Sequence, residues 1–287
     1  RDLSTGEWIV TRLRRILDMA RLDWAAIRRS RWLTFMGVIY ALLMVAFVVV
    51  GFRESDVIGF TGLGRVLLNF SNAIILFLPL LALVATAQIV PSAREEGTLE
   101  LLLSHPFGRA DYFLGTVAAR LATLIAPLAG LAAVCIAVPP LLGVHIPWGY
   151  LANLLAASTT LIVACTGVGF LISTHVRSPE RALIWALVAW AAGIALLDFG
   201  LITVLLQWRL EPASVFVLAV ANPVECARLL LLSSAEPELN ILGPVGFFIV
   251  NRFGKTWLRV VALGWPLVLG TVALGAAWDR FRRSDLV

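Results

Sequence analysis

Val66-Leu-Leu-Asn-Phe-Ser-Asn-Ala-Ile-Ile-Leu-Phe-Leu-Pro-Leu-Leu-Ala-Leu-Val-Ala-Thr-Ala-Gln-Ile-Val90 runs without one Asp, Glu, Lys or Arg. An α-helix rises ~1.5 Å per residue, so this stretch is long enough to cross a ~30 Å hydrocarbon layer. Five further runs of the same character follow the same logic: Leu33–Phe52, Leu121–Leu142, Leu151–Ile172, Ala182–Leu206 and Val260–Trp278. The expected fold is an all-α integral membrane protein with six transmembrane helices. Composition agrees, because 60% hydrophobic residues and a mean hydropathy of +0.91 would leave a soluble domain with an untenable apolar surface. The first run is long, follows an arginine-rich segment and lacks an A-x-A-like cleavage pattern, so it is expected to be a retained helix and not a removable signal peptide.

Positive charge sets the expected orientation. The segment before Trp32 holds eight arginines, and Arg94, Arg109, Arg120, Arg177, Arg181, Arg280, Arg282 and Arg283 fall on the same side, sixteen in all. The opposite side carries seven: Arg53, Arg65, Arg209, Arg228, Arg252, Lys255 and Arg259. The positive-inside rule puts both termini in the cytoplasm. A sequence pI near 9.7 then reflects topology and anionic headgroups, and nucleic acid is not an expected partner.

Residues 1–31 form an expected cytoplasmic amphipathic segment, with one helix over Glu7–Arg31. Ile9, Leu13, Ile16, Leu17, Ala20, Trp24 and Ile27 recur at helical spacing, while Arg12, Arg15, Arg21, Arg28 and Arg29 fall mostly elsewhere around the axis. Such a helix lies along the membrane surface with its arginines at the phosphates, or serves only as a topogenic tail. Residues 32–287 make up the transmembrane domain, with a cytoplasmic loop at 91–113 and an outer segment at 207–258.

In the cytoplasmic loop, Thr98 is placed to cap a short helix and Pro106 to stop it. Leu99, Leu102 and Leu103 share one face, too small for a core and too short for a span, which therefore calls for a partner surface. The Ser173–Arg181 loop reads as a plain turn. The outer segment has apolar stretches at Ala213–Ala221, Val224–Leu232 and Ile241–Val250, each too short to cross. Joining the first two would put Asn222, Pro223, Glu225 and Arg228 in hydrocarbon, and an added span would flip the C-terminal arginines outward. Short interfacial or re-entrant helices, broken at Asn222-Pro223 and Gly243-Pro244, are expected instead.

Chemical motifs are sparse. Gly254-Lys-Thr256 resembles the end of a phosphate-binding loop, but Ile249 stands where the pattern needs glycine, so no nucleotide site and no enzyme activity is expected in this chain. His105, His145 and His175 fall in separate loops. Cys135, Cys165 and Cys226 have neither disulfide nor zinc spacing, and no metal site is expected. Asp198 is the one carboxylate inside an expected span, near its outer boundary. Asn72 and Thr159 lie at similar depth, and the three could line a cavity or serve as ordinary interhelical polar contacts.

The stretch Arg94-Glu-Glu-Gly-Thr-Leu-Glu-Leu-Leu-Leu-Ser-His-Pro-Phe-Gly-Arg-Ala-Asp-Tyr-Phe-Leu-Gly115 resembles the E-x-G-T-L-E-x-L-L-x-x-P…Y-x-L-G element of ABC-2 type permeases, the membrane subunits of many ATP-binding-cassette exporters. The resemblance implies that this loop is a coupling helix docking on a cytoplasmic ATPase subunit, through Glu95, Glu96, Gly97, Thr98, Leu99, Glu100 and Leu102. The family usually has lysine after Y-x-L-G, where this chain has Thr116. Asn222-Pro-Val-Glu-Cys-Ala-Arg228, Leu242-Gly-Pro-Val-Gly246 and Arg282-Arg-Ser-Asp-Leu286 are similar to the permease subgroup that serves nitrous oxide reductase maturation. That likeness implies a homodimer in the bacterial inner membrane, bound to ABC ATPase subunits that carry ATP and Mg, with no cofactor in this chain. It also implies a periplasmic copper-handling β-helical protein on an outer platform of Asn222, Pro223, Glu225, Arg228, Gly243 and Pro244. The work done would be export, or mechanical action on that partner during assembly of the copper-sulfur site. An ABC-2 exporter of lipid, drug or polysaccharide is the alternative within transport. An ATP-independent channel or a membrane scaffold is the alternative of another class.

Overall fold

A computed structural model describes residues 14–25, 38, 39, 42, 61–104, 108–141, 148–193, 217, 220–235 and 254–284. Every regular element among them is a helix. In chain order they are α1 (14–25), α2 (Thr61–Ala87), α3 (Ile89–Glu95), α4 (Thr98–Leu103), α5 (Arg109–Leu141), α6 (Trp148–His175), α7 (Pro179–Ala191), α8 (Pro223–Ala235) and α9 (Gly254–Arg283). Four described stretches are long and apolar enough to cross a bilayer: Ser71–Glu95, Arg109–Gly130, Trp148–His175 and Thr256–Arg283. Apart from residues 38, 39 and 42, the expected first span at 33–52 lies outside the described residues, as does the outer part of the fifth.

α6 is the axis of the bundle. Its sequence is apolar or small all round, as a helix enclosed on every side must be, and it packs on α2, α5, α7, α8 and α9. Glycine lets two of these neighbours come unusually close. A Cβ on Gly167 would stand 2.3 Å from the Gly270 carbonyl oxygen of α9, and one on Gly270 would stand 2.6 Å from the Val163 carbonyl oxygen. A Cβ on Gly169 would meet the Thr86 hydroxyl of α2 at 1.9 Å. Small residues that bring backbones together are how helices associate in lipid, where apolar side chains gain little by leaving one apolar medium for another. Phe77, Ile184, Val188, Val260, Val268 and Val272 remain exposed on the bundle's outside, a surface that hydrocarbon covers at no cost.

The helix ends differ from expectation for local reasons. α2 stops at Ala87 because Pro91 has no N–H and its ring would strike the carbonyl four residues back. The helix restarts as α3 after the turn at Gln88, and the Val90 N–H left without an intrahelical partner donates instead to the Ser173 hydroxyl of α6 at 2.9 Å. α5 begins at Arg109, well before Leu121, so most of the 91–113 loop is helical. The Ser173–Arg181 loop shrinks to Val176-Arg177-Ser178, after which Pro179 opens α7.

α8 is buried in the main core instead of lying on a surface: Val224, Cys226, Ala227, Leu230 and Leu231 pack with Ile74, Leu154, Leu161 and Ala262. Asn222, 2% exposed, is its N-cap. Its Oδ1 accepts the Val224 N–H at 3.0 Å, and its Nδ2 donates to the Gly193 carbonyl of the turn that follows α7 at 2.6 Å. The other end of α8 lies beside the start of α6, where Asn153 Nδ2 donates to the Ser234 hydroxyl at 2.7 Å. α8 thus returns from the depth of Gly193 toward one face without crossing, a re-entrant helix whose polar ends are satisfied inside the protein.

Candidate functional site

The arginine-rich end of the bundle carries the feature that organises everything near it. Met19 of α1, Val90 of α3, Leu99 of α4, Tyr112, Phe113 and Val117 of α5, Phe170 of α6, and Ala277 and Phe281 of α9 form one buried cluster. Phe113 is its centre, with ring centroids 5.5 Å from Phe170, 5.5 Å from Trp278 and 5.7 Å from Phe281. Tyr112 stacks on Phe281 at 5.9 Å. Edge and offset ring contacts at these distances add stabilisation beyond area burial. Thr116, in the position where a lysine is usual, is buried beside this cluster at 3% exposure, a place that disfavours a charge.

α1 is clamped to the same end. A Cβ on Gly115 would come within 2.6 Å of the Met19 Cβ and 3.0 Å of the Ile16 carbonyl, and Arg120 pairs with Asp23 at 3.2 Å. The inward face is therefore Ile16, Met19, Ala20 and Asp23, rotated from the stripe that periodicity picks out; Leu17 and Leu22 are each 55% exposed. Burial holds the Asp23 carboxyl above its ordinary value despite the opposing charge and hydrogen bond of Arg120.

α4 hangs below this cluster. Gly97, with φ of 65°, occupies the left-handed conformation that reverses the chain between α3 and α4, which explains the glycine of the motif. Thr98 is not the cap. It is the first helical residue, and its hydroxyl donates to Glu96 Oε2 at 3.4 Å. The expected leucine face also divides differently. Leu99 is fully buried and the half-buried Leu102 packs against the same cluster. Glu95, Glu96 and Glu100 are exposed, and Gly97 and Thr98 are half-buried. Leu101, 64% exposed, was missed because it lies opposite the leucine stripe; an apolar residue on the outer side of a six-residue helix was the signal.

The profile of the ABC-2 family transporter proteins matches residues 17–286. The chain belongs to this family. Two curated relatives carry the name "Probable ABC transporter permease protein NosY". The one from Pseudomonas aeruginosa is 28% identical over 228 residues, 77% of this chain and 82% of its own length. The one from Stutzerimonas stutzeri is 26% identical over 278 residues, 94% of this chain and 99% of its own length. This ABC-2 protein is accordingly the membrane permease subunit of an ABC transporter.

The remaining sites of the permease are dispersed. Asn222 and Glu225 are buried and Pro223 and Arg228 half-buried; Arg228 Nη1 donates to Glu225 Oε1 at 2.5 Å, one turn along α8. Gly243, Pro244 and Asp198 lie outside the described residues. Asn72 is exposed on α2, and the Thr159 hydroxyl donates to the Leu155 carbonyl of its own helix at 2.7 Å. Among the described residues no His, Cys, Asp or Glu side chains gather as a metal site.

Proposed function

We propose that this permease converts ATP hydrolysis on a cytoplasmic ABC ATPase, which carries the nucleotide and Mg, into movement of its own helices through α4. The observation that carries the reading is the two-sided character of α4. Leu99 is locked into the aromatic cluster joining α5, α6 and α9, while Glu95, Glu96, Glu100 and Leu101 face outward. An acidic rim around one exposed leucine fits a groove with an apolar floor and basic edges. The basic end of the bundle, with both termini, faces the cytoplasm.

Within the family, the likeness to NosY permeases and the Asn222–Arg228 stretch support a role in maturation of the copper-sulfur site of nitrous oxide reductase. In that role the permease works as a homodimer in the bacterial inner membrane. It exports a small species or acts mechanically on a periplasmic copper-handling protein. With Asn222 and Glu225 buried, the surface for that protein falls on residues beyond α8.

The test is coexpression with a candidate cytoplasmic ABC ATPase subunit. Leu101→Asp combined with Glu100→Lys should abolish copurification at least tenfold while leaving thermal stability within a few degrees. Full retention of the ATPase by that variant would exclude α4 as the docking element.

A further inference from the structure

The basic end of the bundle holds positive charge that no carboxylate among the described residues neutralises. Asp279 pairs with Arg282 and with Arg283. Arg94, Arg177 and Arg280, by contrast, have no carboxylate partner among the described residues. The half-buried Arg94 guanidinium donates to the Ser284 hydroxyl at 3.3 Å, which brings α3 to the end of α9, and Arg177 directly follows Val176, which lines the same cleft as Arg280. Guanidinium groups that repel one another at a low-dielectric boundary are held there at a cost unless an anion joins them.

Beside this cluster an open cleft of about 780 Å³ separates α7 from α9, with α6 as its floor. Its polar rim is His175, Asp279, Arg280 and Arg283, and its wall is apolar: Leu171, Ile172, Val176, Trp185 and Ala276. Trp185 is 57% exposed and lies within two turns of the start of α7, the depth at which indole rings settle at a membrane interface. A mobile anion such as free phosphate has no use for that wall. A molecule with an anionic head and an acyl tail uses both parts.

We infer that the cleft between α6, α7 and α9 binds an anionic phospholipid, its phosphate at Arg177 and Arg280 and one acyl chain along Ile172, Trp185 and Ala276. Basic pockets between helices at the cytoplasmic face are a recurrent headgroup site. The site is separate from α4 and does not depend on ATPase docking.

The test uses the full chain in neutral detergent, with phosphatidylglycerol or phosphatidylcholine added and bound lipid read by native mass spectrometry. Phosphatidylglycerol should be retained about tenfold better than phosphatidylcholine. Arg177→Gln and Arg280→Gln should each weaken it about fivefold. Ala276→Trp, which fills the groove and leaves every charge in place, should release the lipid at unchanged melting temperature. Equal retention of the two lipids, or no loss in the double arginine variant, overturns the proposal. Displacement of the lipid by millimolar inorganic phosphate would reassign the cluster as a free-anion site. A lipid-free dimer that Ala276→Trp converts to monomer would place a second copy of the chain in the cleft, and either result also overturns it.

Discussion

At the residue scale, Gly97 and Leu99 sit two positions apart and answer to different physics. Gly97 has open space where a Cβ would go, so Gly97→Ala costs only the left-handed backbone, about 1 kcal/mol. A melting curve should show that small loss, with a larger effect on ATPase association because the direction of α4 changes. Leu99 is fully enclosed, so Leu99→Ala should cost about 2–5 kcal/mol of stability and lower the yield of folded permease before docking is ever tested. Asp23 offers a test in pH. Its folded-state value is raised, so the ionised carboxylate is the disfavoured form inside the protein. The stabilisation it contributes is present below the ordinary carboxylate range and lost as pH rises through the folded value. Asp23→Asn should therefore be nearly neutral at neutral pH. Arg120→Ala, which strands the carboxylate, should destabilise at neutral pH and recover on acidification, and a pH series of melting temperatures checks the sign. The turn at Gly97 and the exposed acidic residues around it were legible in the sequence because they are local in origin. The division between Leu99 and Leu101 was not, because it depends on Phe113, Phe170 and Phe281 arriving from three other helices.

At the scale of elements, length and composition reveal spans well and their ends poorly. Val66–Val90 declares a helix that crosses, but only Pro91 and the Val90 N–H bond to the Ser173 hydroxyl say where it breaks. Ser173→Ala should leave the buried Val90 N–H without an acceptor and cost about 1–3 kcal/mol, visible as faster amide exchange at Val90. α8 was the hardest element to read: thirteen residues are too few to span, and charge scales push Asn222, Glu225 and Arg228 toward water. Asn222 escapes that penalty because its polar atoms are matched inside the bundle, by the Gly193 carbonyl and the Val224 N–H, while Glu225 and Arg228 pair with each other. The glycine contacts of α6 were equally silent in sequence, since Gly167 and Gly270 are close only after the helices have packed. Gly270→Leu should force α6 and α9 apart and destabilise the permease by several kcal/mol, where Gly264→Leu, with open space around its Cβ, should be tolerated. Melting temperatures of the two variants in the same detergent make the comparison.

At the scale of the whole molecule, the basic end is stiff. Five stretches of chain far apart in sequence converge on Phe113, and α1 is bolted to the same place through Gly115. Pushing α4 therefore has little slack to take up before α6 and α9 respond, and the Gly167–Gly270 contact ties those two helices together further along the bundle. Small displacements at a rigid contact are passed on as movement of whole elements, because packed interiors do not deform continuously. The two sides of α4 give this arrangement an evolutionary corollary. In the proposed docking, Glu100 and Leu101 of α4, with Glu95 and Glu96 just before it, meet the ATPase while Leu99 faces the interior, so the two sets can change independently. The proposed docking surface can then be retuned at Glu95, Glu96, Glu100 and Leu101 while the packing behind Leu99 stays as it is.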